Sequence, residues 1–328
     1  MKILKAYSVI CMLVLVNFVN IAICSPTNSI ASENKFEPKI FEYFTLAKNK
    51  DEVRKTLHDY GFIAIRGVPH YIEKKNRYFE LAQEFIALDD NIKNQSTPKD
   101  AFARGWSYGI EVFNGKKDAY KGSYYVVISG SEEELNKNIW PSKDWELAAD
   151  FKEAYTDLAN IIFQTGKEIL PIIGLDFQYL SATGRMLYYG AIPEIMEEDN
   201  PYWCGIHRDH GLFTGLIPAI YKKDGIIVAK PEGAGLYIRN QEIIVPDDVV
   251  LFQVGETADL ITDQSIKATD HHVKKAYGGY ERYSFALFFG IDSETKINAS
   301  KIDPEYQSRY KYGMTFKDWC NASLDRYK

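Results

Sequence analysis

The stretch GIHRDHGLFTGL, Gly205 to Leu216, carries His207, Asp209 and His210 almost side by side. A second pair, His271-His272, follows further along, so four of the chain's six histidines fall in two short segments. Metal binding is the first chemistry to test. The stretch is rich in β-formers (Ile206, Phe213, Thr214, with Trp203 just ahead) and has no helical apolar period, so it reads as a strand. Alternation on a strand turns His207 and Asp209 to one face and His210 to the other. A third ligand from a distant strand, His271 or His272, would place two imidazoles and one carboxylate on one side of a metal. That set leaves coordination positions open, as in non-haem Fe(II) oxygenases. An HxD pair alone is common in strands and carries little.

Here it has company. Beyond His271 comes RYSFALFFG, Arg282 to Gly290. Alternation puts Arg282 and Ser284 on one face, and Tyr283, Phe285, Leu287 and Phe289 on the other. An inward Arg beside a hydroxyl suits a carboxylate held by a bidentate, charge-assisted pair. A surface Arg at a strand end is the plain alternative.

Taken in order, these motifs resemble the 2-oxoglutarate/Fe(II)-dependent dioxygenases of the isopenicillin N synthase-like branch. The family pattern H-x-D-x-G-x-L-T stands as HRDHGLFT, with Phe213 in the usual Leu position. The family's H-R-V stands as His271-His272-Val273, which makes His271 the ligand and His272 the replacement for Arg. Its R-x-S stands as RYS. In GRMLYYGAI, Gly184 to Ile192, Tyr189 matches the Tyr of an Asn-x-Tyr pair that touches 2-oxoglutarate, while Leu187 replaces the Asn. Arg66-Gly67 stands for a His-Gly pair, and Gly255-Glu256 for Gly-Asp. The lead-in Asn138, Trp140, Pro141 also resembles the family's entry into its long helix. The likeness runs from Ile40 to Ile291.

The resemblance implies a mixed α and β fold, a double-stranded β-helix (jelly-roll) core with flanking N-terminal helices. It implies Fe(II) on His207, Asp209 and His271, and 2-oxoglutarate with its far carboxylate on Arg282 and Ser284, assisted by Tyr189. The expected activity is oxidation of a small organic substrate, in the first place hydroxylation, using O2 and releasing succinate and CO2. One rival keeps the iron and drops the co-substrate, as in isopenicillin N synthase, whose Arg and Ser hold the substrate's carboxylate; Leu187 keeps it open. A zinc hydrolase with H-x-D-H would need another His two residues upstream, where Gly205 stands. A non-catalytic metal-binding relic is the last alternative, and the intact ligand set argues against it.

The rest of the chain bounds these readings. Its 328 residues are 46% hydrophobic and 26% charged with net charge −6, enough apolar material for one large domain and no reason to expect nucleic acid as a partner. A monomer is expected. Lys2 and Lys5 precede an apolar run from Tyr7 to Cys24, and Ala22 and Cys24 sit before Ser25, the pattern of a secretory signal peptide. The expected organisation is a signal peptide over 1–24 and a polar leader over 25–39. A helical and mixed region over 40–180, the jelly-roll core over 181–292 and a tail over 293–328 follow. Export leaves no membrane segment after cleavage. Of the four cysteines, Cys204 and Cys320 remain in the mature chain, and Cys204 is expected beside the site. The sequons at Asn94, Asn298 and Asn321 are adequately explained by chance. Helices are expected from Asp51 (apolar stripe Val53, Leu57, Tyr60), over Tyr71 to Leu88, and from Asp144 with Phe151, Tyr155, Leu158, Ile162 and Ile169 buried. Phe62 to Arg66 reads as a strand, and Ala101 to Gly130 as strands and loops at a pocket mouth. Short strands are expected at Gly225 to Ala229, Gly235 to Arg239, Glu242 to Val245 and Val249 to Val254, with turns at Arg239-Asn240-Gln241 and Pro246-Asp247-Asp248.

Overall fold

A helix–strand unit sets the outer layer of the fold. In the computed structural model, which describes residues 35–99, 103–113, 116–192 and 200–325, α1 spans Lys50–Tyr60 and buries Val53 and Leu57 one turn apart. Tyr60, expected in that stripe, is 45% exposed and lies against Phe36 instead, ring centroids 5.2 Å apart. Gly61 ends α1 at φ +67°, where a Cβ would lie 2.3 Å from the Lys267 carbonyl oxygen, so only glycine fits. The strand β3 (Phe62–Arg66) follows, then α2 (Tyr71–Ala87) and the short α3 (Asp90–Lys93) and α4 (Glu132–Asn136). The long helix α5 spans Ala148–Ile169. It begins later than Asp144 because Ser142 starts a turn of its own, with Trp145 N–H on its carbonyl and Asp144 N–H on its hydroxyl.

Two sheets make the double-stranded β-helix. The smaller runs β1 (Lys35–Phe36), β14 (Gln241–Ile243), β13 (Gly235–Ile238), β16 (His271–Lys274), β9 (Tyr202–His207). The larger runs β2 (Ile40–Glu42), β3, β15 (Val249–Val254), β10 (Phe213–Leu216), β17 (Tyr280–Gly290), β8 (Ser181–Tyr189), β7 (Lys121–Ser129), β4 (Gly105–Tyr108). A hairpin of β11 (Ile220–Lys223) and β12 (Ile226–Val228) pairs with the start of β17, and β5 (Val112–Phe113) pairs with β6 (Lys116–Lys117) apart from both sheets. The turn between β13 and β14 has Arg239 and Asn240 at φ +50° and +62°, as a two-residue hairpin requires. Residues 1–34, which include the expected signal peptide, and 193–199 lie outside the described residues. Lys35–Phe36, at the end of the expected polar leader, pairs in parallel with β14.

Strict alternation divides the large sheet into two faces. Val250, Phe252 and Val254, with Tyr283, Phe285, Leu287 and Phe289, join Phe151, Tyr155, Leu158 and Ile162 of α5 in the main apolar cluster. The opposite face of β15, with Val249 and Leu251, meets Ile238 and Ile243 of the small sheet. Between the sheets the interior becomes polar, and the site lies there. No helix of the described residues is long and apolar enough to cross a membrane.

The stretch expected as one strand is two. β9 ends at His207, and β10 begins at Phe213 in the other sheet. The intervening backbone serves α6 (Glu256–Ile261) rather than a neighbouring strand: the Glu256 N–H donates to Asp209 O at 2.7 Å and the Thr257 N–H to Gly211 O at 3.1 Å. Gly255 allows this approach, since a Cβ there would stand 2.2 Å from Gly211 O. The C-terminal segment carries a helix, α7 (Phe316–Asp325), which buries Trp319 against Tyr306 and Tyr310.

Candidate active site

β9 and β16 pair antiparallel with His207 directly opposite His271, so their rings lie 4.1 Å apart by centroid. Asp209, in the loop that leaves β9, brings Oδ1 to 3.5 Å from His207 Nε2 and 3.9 Å from His271 Nε2. All three ligand atoms lie within 4.8 Å of one another, which makes this group able to hold a metal ion. Asp209 faces His207 because the loop turns, not because strand parity carries it there.

Each outward atom of the three is already engaged. His207 Nδ1 lies 2.8 Å from Gly205 O, so that nitrogen holds a proton and Nε2 faces inward. Burial opposes the charged ring, but Cys204 and Asp209 outweigh it and raise its pKa well above the ordinary value, so a metal would take the place of the Nε2 proton. Asp209 Oδ2 accepts from the Thr214 hydroxyl on β10. His271 Nδ1 faces Thr269 O at 3.3 Å and the Gln253 side-chain amide at 2.6 Å. Gln253 Oε1 has no partner, and turning that amide over would let the oxygen accept from Nδ1–H. Burial works against the Asp209 carboxylate, but His271, His207 and Thr214 outweigh it and hold its pKa well below the usual range. Burial, helped by His207, draws His271 down to about 4 and keeps it neutral. An ionised carboxylate beside two imidazoles, whose inward nitrogens a metal would take in place of a proton, fits a divalent transition metal.

The residues next to the ligands form a second tie. Arg208, between His207 and Asp209, pairs through Nε and Nη2 with Asp270 at 3.0 and 3.3 Å, and Asp270 precedes His271. Arg208 Nη1 reaches Glu305 at 2.9 Å and Asp303 at 3.6 Å in the C-terminal segment. That segment also sends Arg309 to the buried Glu256, with both distances 3.0 Å.

The other two histidines stay off the metal group. His210 follows Asp209 in the loop and gives its carbonyl to the Thr257 hydroxyl. His272, which stands in the family's Arg position, is buried on the opposite face of β16, stacked on Tyr237 at 5.0 Å and edge-on to Tyr202 at 4.8 Å.

Arg282 and Ser284 share the interior face of β17, as alternation predicts, and both are buried. Arg282 lies 5.3 Å from the centroid of the Tyr189 ring, which stacks on Trp203. Its Nε and Nη1 are buried without a partner, and so is Trp203 Nε1. Unpaired buried charged donors are costly, so this end fits an incoming anion, 2-oxoglutarate's carboxylate among them. The Ser284 hydroxyl donates to Ile217 O at 3.2 Å, and Leu187 stands opposite Ser284 in the register.

No family model matches the chain. A Dictyostelium discoideum protein named as an iron/ascorbate oxidoreductase is 23% identical over 285 residues, 73% of this chain and 74% of the relative. Deacetoxycephalosporin C synthase of Amycolatopsis lactamdurans is 26% identical over 236 residues, 69% of this chain and 73% of the relative. A full-length Neurospora crassa protein, crystallised in complex with alpha-KG and thymine, superimposes with a TM-score of 0.67 at 18% identity, over 88% of this chain and 97% of that one. In sequence and in fold the chain is similar to 2-oxoglutarate/Fe(II)-dependent dioxygenases.

Sequence reading had not singled out several interior residues beside the metal group. Arg185 on β8 holds Glu111 with Nη2 at 2.6 and 2.7 Å, and Lys121 on β7 reaches the same carboxylate at 2.9 Å. Ser123 donates to Glu111 at 2.6 Å and accepts from Arg185. Burial opposes every charge here, yet the cluster sustains them: Arg185 and Lys121 hold the Glu111 carboxyl far below the usual range, Glu111 keeps Arg185 charged, and Cys204 and then Glu111 keep Lys121 charged. Cys204, half-buried as a free cysteine, lies between Lys121 (4.0 Å) and His207 (3.8 Å). A signal for Arg185 was available, since it alternates with Leu187 and Tyr189 in GRMLYY. Glu111 lies in an irregular loop where no period points inward.

Proposed function

We propose that the chain uses Fe(II), O2 and 2-oxoglutarate to oxidise a small organic substrate, with hydroxylation the expected outcome. The observation that carries this is the pairing of two features in one interior: three convergent ligand atoms and, beyond them, a buried guanidinium with two unpaired donors. His207, Asp209 and His271 would hold the iron, and Arg282 the far carboxylate of 2-oxoglutarate. Tyr189 supports the guanidinium with its ring face, and Ser284 would join only by turning its hydroxyl from Ile217 O. The bound iron and co-substrate supply oxidation of an unactivated C–H bond, with CO2 and succinate released. The protein orients both and shields them from water. Succinate formation measured with and without added Fe(II), in the absence of other substrate, tests this: iron-dependent turnover of 2-oxoglutarate is expected, and none at all would sink it.

Leu187, in place of a second polar contact, favours one other reading, in which Arg282 holds a carboxylate of the main substrate instead. In that case Arg282→Gln would leave 2-oxoglutarate binding unchanged. The basic and apolar start of the chain further supports export with cleavage near Ser25. An intact Met1 terminus on protein from its native host would refute it.

A further inference from the structure

A charged cluster lies to one side of the line that joins Asp209 to Arg282. Register fixes its place. Arg185 pairs with Ala286, which lies between Ser284 and Phe288 on the interior face of β17, and Phe288 pairs with Thr214, the residue that holds Asp209. Lys121 pairs with Tyr189, which pairs with Arg282. The cluster therefore flanks the whole span between metal and co-substrate, and Ala286 puts only a methyl group in the way.

Its hydrogen bonds are uneven. Within hydrogen-bonding reach, Glu111 is the one carboxylate that serves both Arg185 and Lys121 among the described residues. Asp118, the next acid along, accepts instead from the Tyr120 N–H. Arg185 uses Nε and Nη2, while Nη1 has no partner among the described residues. The Tyr125 ring centroid lies 4.9 Å from its guanidinium carbon and backs it on one side. Among the described carboxylates, Arg185 and Lys121 share Glu111 alone, and the other neighbour of Lys121 is the Cys204 thiol at 4.0 Å, so the two buried cations outnumber the carboxylates that serve them. A guanidinium with a free edge, next to an ammonium, is built to take a carboxylate. Leu187 and Ala286 beside it offer apolar surface for the rest of the molecule.

We infer that Arg185 and Lys121, held apart by Glu111, form the subsite for the main substrate, and that this substrate carries a carboxylate on an apolar body. The inference rests on the proposed function, because it assumes that 2-oxoglutarate occupies Arg282. The test is a calorimetric titration of the full chain, saturated with Mn(II) and 2-oxoglutarate. The probes are arylacetic and alkylacetic acids, each paired with its neutral primary amide. Members of the acid series should bind, and their amides roughly tenfold more weakly or worse, as for a lost charge-assisted bond. Arg185→Gln should weaken the acids by a similar factor without altering 2-oxoglutarate affinity, and Arg185→Lys should fall between. Glu111→Gln should tighten them by removing the internal competitor, whereas a purely structural cluster predicts the reverse.

The inference is overturned if no acid binds, if amides match acids, or if Arg185→Gln has no effect. Loss of acid binding in Glu111→Gln with 2-oxoglutarate affinity retained also overturns it. Should Arg185→Gln fail to fold, Lys121→Gln gives the same reading. A wild-type chain that does not bind 2-oxoglutarate but binds the acids, with Arg185→Gln weakening them and Arg282→Gln not, would sink the proposed function and keep the subsite; 2-oxoglutarate binding without acid binding would do the reverse.

Discussion

The metal group and the Arg282 end face the same interior and are finished to different degrees. Around the metal group, His207 Nδ1, Asp209 Oδ2 and His271 Nδ1 all have partners, so the ligand atoms are aimed before anything binds. At the other end, two guanidinium nitrogens and the Trp203 Nε1 have none. A pre-aimed ligand set lowers the reorganisation needed to take up a metal. An unsatisfied cation instead draws free energy from the arriving anion. The difference separates a resident group from one consumed at every turnover.

The largest expected effect breaks the finished end. His207→Ala should abolish stoichiometric iron and all 2-oxoglutarate turnover, while circular dichroism shows the fold retained. His210→Ala should keep both. Iron lost in the second variant and kept in the first would put the ligand set on the wrong side of the loop.

Arg282→Gln should remove about 2–5 kcal/mol of 2-oxoglutarate binding, as for a buried charge pair, while the iron stays. Metal analysis beside the KM for 2-oxoglutarate separates the two ends. A variant that lost both would show that they are not independent.

A smaller effect tests how the metal group is aimed. Arg208→Met and Asp270→Asn should each weaken Fe(II) roughly tenfold, as outer partners of ligands do. The double variant should be little worse than either, because both remove one tie. Additive losses in an iron titration would mean that the pair does not act as a unit.

The two faces of β16 offer the mildest contrast. His272, buried in a tyrosine stack, is drawn down to about 4 by burial and then by Lys274. An imidazole depressed in the folded state binds fewer protons there than when unfolded. Its contribution is therefore lost as pH falls from about 6.5 towards 4. His272→Phe should recover on the order of 1–2 kcal/mol at pH 5 relative to pH 7.5. Urea titrations at both values check it, and an equal change at the two would remove the histidine from the acid response.

Much of this was legible in the sequence because it is periodic. Arg282 and Ser284 fell on the interior face because β17 alternates without a break, and the α5 stripe followed from helical spacing. The geometry of Asp209 was not legible. Parity suggested the right neighbour for the wrong reason, since a loop committed to α6 does the turning. The Arg208–Asp270 tie and the service of Glu305 and Arg309 lie between segments far apart in the chain, where no local pattern reports them. The position of His272 was missed because its burial depends on Tyr237 and Tyr202, one from each neighbouring strand.

The ligand positions have one consequence for motion. His207 and His271 belong to the small sheet, whereas Asp209 is held by Thr214 on the large one. An ion bound by all three would act as a cross-link between the two layers. Amide hydrogen exchange should then slow on loading not only beside the ion but along β10 and β16 together, as the two layers lose their freedom to part.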